Sequence, residues 1–282
     1  MSGASATRPG LRDFPPYESP QHDVAVRLNT NECPHPLPEE FFEELAEIVQ
    51  GLPLHRYPDG QMTRLREELA AHADHPFDGT WAANGSNEIL TELLLAYGGP
   101  GRTAIVFEPT YVLHSRLAWI THTETVRLAL PPPFVIGADD VSAAIRLEPH
   151  VVFVCSPNNP TGNAQPLEVV SSLAQTSDAL VVVDEAYIEF GGRSAHDLID
   201  RYPNLVVVRT LSKAFALAGA RIGYCLASSE IVRDLLRVRL PYHMSALTQA
   251  TGSRPCATHA RRRPSSTASA HNATGSSSRS GG

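Results

Sequence analysis

Four short runs constrain this chain more than any other feature: TAIVF (103–107), VVFVC (151–155), LVVV (180–183) and LVVV (205–208). Each is continuously apolar, rich in Val and Ile, and without the in–out alternation of a half-exposed strand. Such runs read as strands buried on both faces, the signature of a parallel sheet covered by helices. Parallel neighbours need crossovers of a dozen residues or more. The segments DVSAAIRLE (140–148) and PLEVVSSLAQTS (166–177) have helical length and lie between the runs. The expected fold class is α/β, with a wound, mostly parallel sheet.

Helices are expected on either side of these runs. In EEFFEELAEIVQGL (39–52), Phe42, Leu45, Val49 and Leu52 fall at helical spacing. In MTRLREELAAHA (62–73), Leu65 and Leu69 are one turn apart. WAANGSNEILTELLLAYGG (81–99) reads as a short approach, a glycine turn and a helix, with Ser86 as N-cap and Gly98-Gly99 as the stop. SSEIVRDLLRVRL (228–240) gives a further helix closed by Pro241.

In open α/β sheets, ligands bind beyond the carboxyl ends of the strands. The unusual residues of this chain fall there. TAIVF leads to Glu108-Pro-Thr-Tyr111, VVFVC to Ser156-Pro-Asn-Asn159-Pro-Thr-Gly, one LVVV to Asp184-Glu-Ala-Tyr187 and the other to Leu211-Ser212-Lys213. Singly, each has a plain explanation. Asn, Pro and Gly dominate turns for conformational reasons, Asp caps helices, and a tyrosine is commonly a half-buried packing residue. Together they bring an amide, a carboxylate, an amine and an aromatic ring to one rim.

Lys213 is the one lysine of the chain; the other 22 of its 23 basic residues are arginines. Taken alone it reads as a surface charge. A lysine amine, however, loses its proton when desolvated and then attacks carbonyls, which guanidinium does not. A cofactor with an aldehyde, a ring nitrogen, a phenolic oxygen and a phosphate accounts for the whole set, and pyridoxal 5'-phosphate has all four. Lys213 would hold the aldehyde as a Schiff base and Asp184 would pair with the ring nitrogen. Asn159 and Tyr187 would meet the phenolic oxygen, and Tyr111 would stack on the ring. Gly85, Ser86 and Asn87 open a helix, where free N–H groups favour a phosphate. Ser212 and Arg221 flank the lysine as further phosphate donors.

The motifs NGSNE (84–88), PTY (109–111), SPNNPTG (156–162), VVVDEAY (181–187) and TLSKAFALAGARIGY (210–224) resemble fold-type-I, pyridoxal-phosphate-dependent aminotransferases. With LNTNECP (28–34) and RYPDG (56–60), they are more narrowly similar to the histidinol-phosphate aminotransferases. The similarity runs over about residues 25–250. It implies amino transfer between histidinol phosphate and 2-oxoglutarate, giving imidazole-acetol phosphate and L-glutamate in histidine biosynthesis. It implies that Lys213, Asp184 and Tyr187 are catalytic, Lys213 also carrying the proton. It implies a homodimer in which Tyr57 reaches the partner's cofactor phosphate, and a place for Asn31 near the substrate. Aromatic aminotransferases and a threonine-phosphate decarboxylase share the cofactor-binding set, so substrate choice rests on analogy.

The resemblance implies an N-terminal arm over 1–38 and a cofactor-binding domain over 39–250. Residues 251–282 depart from it. All 30 acidic residues precede residue 251, whereas the last 32 residues carry five arginines, no acid and no large apolar residue. This tail has nothing to bury and is expected to be disordered. A frameshift or a truncation is the expected origin, leaving the small domain largely missing. Ile231, Leu235 and Val238 would then be exposed on their helix.

A basic tail on an acidic body also raises a nucleic-acid-binding reading. No aromatic residue interleaves with the tail arginines, and no GxxxxGK[ST] loop occurs, so no nucleic-acid partner is expected. No apolar run is long enough to span a bilayer, and no membrane partner is expected. The N-terminal segment lacks the apolar core of a signal peptide. The four cysteines and twelve histidines show no metal-ligand spacing. A cytoplasmic location and no metal are the expectations.

Overall fold

The computed structural model describes residues 7–20 and 23–253. Its centre is a seven-stranded sheet in the order β1-β7-β6-β5-β4-β2-β3. The strands are β1 Thr80–Ala83, β2 Thr103–Glu108, β3 Glu124–Ala129, β4 Val151–Cys155, β5 Leu180–Asp184, β6 Leu205–Thr210 and β7 Gly223–Leu226. Strands β3, β2, β4, β5 and β6 run parallel. Strand β7 is antiparallel to β6 and to β1. The α/β expectation therefore holds, and the four apolar runs are β2, β4, β5 and β6.

Every residue of β1, β4, β5 and β7 is buried, whereas the edge strand β3 has none fully buried. The reason is coverage. The helices are α1 Glu39–Gln50, α2 Thr63–Ala73, α3 Ser86–Tyr97, α4 Leu113–Ile120, α5 Ala138–Ile145, α6 Leu167–Thr176, α7 Ser229–Val238 and α8 Ala246–Gly252. They leave one continuous core that includes Trp81, Leu90, Phe153, Leu173, Val207 and Tyr224.

Three expectations need correction. Ser86 is the first residue of α3 and Gly85 stands at the N-cap, with no side-chain capping bond. Helix α1 turns Phe41 toward the core while Phe42 stays 53% exposed. Its inner stripe is Phe41, Leu45 and Ile48, which face Ala250 and Thr251 of α8. Two adjacent phenylalanines give a periodicity that fits either register, and packing against α8 decides it.

Helix α7 is not left bare. Ile231, Val232 and Leu235 are buried, and Val238 is half-buried. This helix closes over α3, β1 and the turn at Phe77–Gly79. The expectation of an exposed apolar stripe fails because the large unit itself covers it.

Residues 251–253 also belong to the folded unit. Gly252 is buried, and a Cβ there would come within 2.6 Å of Leu65 Cδ1 and 2.8 Å of Ile222 Cδ1. A larger residue there would have to displace the ends of the Leu65 and Ile222 side chains. The rest of the tail, including the expected disorder and the expected frameshift or truncation, lies outside the described residues.

Candidate active site

The carboxyl ends of β2, β4, β5 and β6 open onto a cavity of 330 Å³. Parallel register puts Cys155 and Asp184 level with each other at the floor. Each strand then contributes the residues just beyond its last apolar position. Asn159, Asp184, Tyr187, Ser212 and Lys213 line the cavity, with Tyr111 from the β2–α4 connection and Ser86 and Asn87 from the start of α3. Arg221 enters from the turn before β7, and Asn31 from the segment that crosses the mouth.

Lys213 is half-buried and donates from Nζ to the carbonyl of Thr30 at 2.8 Å. Burial pushes its pKa below the usual lysine value; the nearby Glu32 carboxylate opposes that shift and Arg221 adds to it. The ammonium of Lys213 also lies 5.7 Å from the centroid of the Tyr187 ring. Tyr187 accepts a hydrogen bond from Asn31 Nδ2 at 3.0 Å. Its own pKa is raised by burial. Asn31 adopts φ 51°, a left-handed conformation that asparagine tolerates well.

Asp184 is 2% exposed and is held from two sides. Its Oδ1 accepts the backbone N–H of Ala186 at 3.1 Å. Its Oδ2 accepts from His114 Nε2 at 3.0 Å. The His114 ring is fully buried, stacked at 4.7 Å on Phe153 with planes 5° apart. The tautomer that donates to the carboxylate carries its hydrogen on Nε2, and Nδ1 has no partner among the described residues. His114 is absent from the sequence-derived set. One signal pointed to it: it lies three residues beyond Tyr111, hence one helical turn on, beside the ring platform.

At the other end of the cavity the chain is shaped for an anion. Gly85 has φ +85°, and a Cβ there would collide with the Arg221 guanidinium. A Cβ on Gly223 would strike the backbone N of Ser86 and the carbonyl carbon of Gly85. Two glycines thus let the opening turn of α3, with its free N–H groups, approach β7 and Arg221. Arg221 itself has φ 56° and donates to Ser212 Oγ at 3.4 Å. Tyr111 donates to Asn87 Oδ1 at 3.3 Å, tying the platform to the same turn. Burial, and then the Asp184 charge, raise the Tyr111 pKa.

Amine, buried carboxylate, ring platform and anion cradle thus share one cavity. They fit a group with an aldehyde, a basic ring nitrogen and a phosphate. Tyr57 is not among the lining residues: it is 80% exposed and stacks on Tyr242 at 4.6 Å. A larger hollow, 810 Å³, opens at the opposite, amino-terminal ends of the strands. Its lining, which includes Arg102, Glu148, Asp178, Pro203 and Asp234, contains no nucleophile paired with a base.

Comparison with known proteins agrees with this geometry. The family model for aminotransferase class I and II matches residues 23–273. The chain belongs to the class I and II aminotransferase family. Enzymes of this family use pyridoxal 5'-phosphate, and this chain is a transaminase by descent. It is 49% identical over 253 residues to the histidinol-phosphate aminotransferase of Thermobifida fusca, covering 86% of this chain and 68% of that protein. The corresponding protein of Mycobacterium marinum is 45% identical over 269 residues, covering 88% and 70%. The fold matches the crystal structure of histidinol-phosphate aminotransferase from Sinorhizobium meliloti in complex with pyridoxal-5'-phosphate. That match has a TM-score of 0.82 at 23% identity, over 93% of this chain and 73% of that one. The chain spans about two thirds of the length of these curated relatives. Among the described residues no helix is long and apolar enough to cross a membrane, and no group of side chains is arranged to hold a metal ion.

Proposed function

We propose that this aminotransferase acts on L-histidinol phosphate and 2-oxoglutarate, yielding imidazole-acetol phosphate and L-glutamate. The observation that carries the reading is that relatives 45–49% identical over most of the chain bear that name. When bound, pyridoxal phosphate supplies an electron sink that stabilises negative charge at the substrate's amino-bearing carbon.

The chain's own residues supply the rest. Lys213 Nζ would hold the cofactor's aldehyde and would carry the proton between the substrate's amino-bearing carbon and the cofactor. Its depressed pKa suits both tasks, since the neutral amine is the nucleophile and the base. The Asp184 carboxylate, held in place by His114, would pair with the ring nitrogen and keep it protonated. Tyr111 would support the ring face, and Asn159 and Tyr187 would meet the phenolic oxygen. Gly85, Ser86 and Asn87, with Ser212 and Arg221, grip the phosphate through backbone N–H groups, hydroxyl and guanidinium. Asn31 lies against the substrate.

The same reading makes the working form a homodimer in a cytoplasmic pathway of amino-acid synthesis. Tyr57, 80% exposed although stacked on Tyr242, is available to reach a partner's phosphate. The experiment is a visible spectrum of the purified chain with pyridoxal phosphate, with Lys213→Ala alongside, followed by addition of L-histidinol phosphate. A bound-cofactor band in the wild type alone, lost on adding substrate, is the expected result. A band in both proteins refutes the role of Lys213. A wild-type band indifferent to this substrate but consumed by an aromatic amino acid refutes the substrate.

A further inference from the structure

The mouth of the cavity is walled partly by Tyr17, Ser19, Asn29, Thr30 and Asn31, none of them in a helix or strand. What fixes it lies outside the site. Phe14 stacks on Trp119 of α4 with ring centroids 3.7 Å apart and planes 6° apart. Arg8 also lies over this indole, its guanidinium carbon 4.4 Å from the ring centroid. Arg116, one turn earlier on α4, lies 4.3 Å over Phe14 and 5.7 Å from the Tyr17 ring. The result is a cluster of cation–ring and ring–ring contacts, with Arg8 and Phe14 from the strap and Trp119 and Arg116 from α4. Each cation rests on a ring face and each ring on another flat group, an arrangement favoured electrostatically as well as by burial.

Hydrogen bonds lock the cluster to the backbone. Arg8 Nη1 donates to the carbonyl of Ile120 at 3.0 Å and approaches His122 Nε2 at 2.6 Å. Arg116 Nη2 donates to the carbonyl of Pro15 at 2.8 Å. Between Arg8 and Phe14 the strap doubles back through Gly10, whose φ of +75° permits the turn. Beyond Phe14 the strap delivers Tyr17 and Ser19 to the cavity wall. Asn29 Nδ2 then donates to the carbonyl of Pro20 at 2.8 Å, tying the strap to the segment carrying Asn31.

We infer that Trp119, Phe14 and Arg116 are positioning residues that clasp the N-terminal strap to α4 and so hold the substrate side of the cavity closed. The clasp acts on the substrate through Tyr17 and Ser19. It does not touch Lys213, Asp184 or the anion cradle, so cofactor binding is independent of it. Helix α4 also follows Tyr111 and carries His114, so the strap is clasped to the helix that adjoins the ring platform. The substrate arm of the test rests on the reading proposed above; the proteolytic arm does not.

The test uses the cofactor-loaded full chain and the variants Trp119→Ala, Phe14→Ala and Trp119→Phe. Trypsin cleavage after the exposed Arg12 is followed by mass spectrometry. The half-reaction with L-histidinol phosphate is followed by the cofactor's absorbance. Hydroxylamine release of the cofactor reports how open the cavity is. Both alanine variants should be cleaved after Arg12 about 10-fold faster and lose cofactor to hydroxylamine several-fold faster. Their saturation constant for L-histidinol phosphate should rise about 10-fold, while the limiting rate stays within about 3-fold. Trp119→Phe, which keeps a stacking ring, should remain close to wild type. Unchanged cleavage and hydroxylamine rates in both alanine variants would overturn the clasp. Faster cleavage with an unchanged saturation constant would equally overturn its role at the site. If wild type does not react with L-histidinol phosphate, the substrate reading fails, and cleavage with hydroxylamine release still decides the clasp.

Discussion

Glu92 offers the sharpest test of the electrostatics inside this fold. It lies on α3, 3% exposed, with Oε2 accepting from Trp81 Nε1 at 2.8 Å and Oε1 without a partner among the described residues. Burial pushes its pKa from 4.5 up to about 8; Glu88 adds to the shift, while the Trp81 bond and Arg239 oppose it. Below pH 4.5 the carboxyl is protonated in both folded and unfolded chains and has no effect on stability. As pH rises through the window from 4.5 to about 8, the unfolded chain ionises and the folded one resists. Stability therefore falls across that window and levels off above it.

At 1.36 kcal/mol per unit, the wild type should lose about 3 kcal/mol between about pH 5.5 and pH 8.5 from this group alone. Glu92→Gln mimics the protonated acid and still accepts from the indole. Urea unfolding of both proteins at the two pH values, followed by tryptophan fluorescence, isolates the term as a difference. The variant should be more stable at the higher pH, by about 3 kcal/mol more than at the lower one. Equal pH slopes in the two proteins would refute the reasoning, and would mean that Glu92 is ionised where it lies.

Other perturbations probe the site and its supports. Arg209→Met should lower stability by about 3–5 kcal/mol, seen as a drop in melting temperature. It strands Glu185, 1% exposed, which Arg209 Nε meets at 3.0 Å beneath the strand end carrying Asp184. Gly223→Ala should weaken cofactor binding by at least about 10-fold in an equilibrium titration, because its methyl group would force the opening turn of α3 away from Arg221. His114→Phe keeps the stack on Phe153 but removes the donor to Asp184. It should cost about 1–3 kcal/mol of stability by urea denaturation and shift the visible band of the bound cofactor.

Much of the site was legible in the amino-acid sequence. Strands β2, β4, β5 and β6 announce themselves because a strand buried on both faces must be apolar throughout. Residues that break such a run are therefore conspicuous at its end. Lys213, Asp184, Asn159 and Tyr111 stood out for that reason, and all four line one cavity. Strands β1 and β7 were not separable from loops: TWAA and GYCL are only four residues each, and β7 directly follows a glycine-containing turn. Strand β3, at the sheet edge, is half-exposed and carries Glu124 and Arg127 among its apolar residues.

What the sequence determined by itself is thus the four central strands, their parallel direction, and the chemistry gathered at one rim. These obey local rules, because burial and backbone geometry select residue types within a few positions along the chain. Only tertiary structure decided the rest. His114 meets Asp184 across 70 residues, Phe14 finds Trp119 across the helices α1, α2 and α3 and the strands β1 and β2, and α7 finds its cover on α3 and β1. A histidine within a helix, a phenylalanine in an irregular arm and an apolar stripe read the same whether they meet a partner or solvent. Such partnerships depend on where distant elements pack, and local pattern does not carry that information.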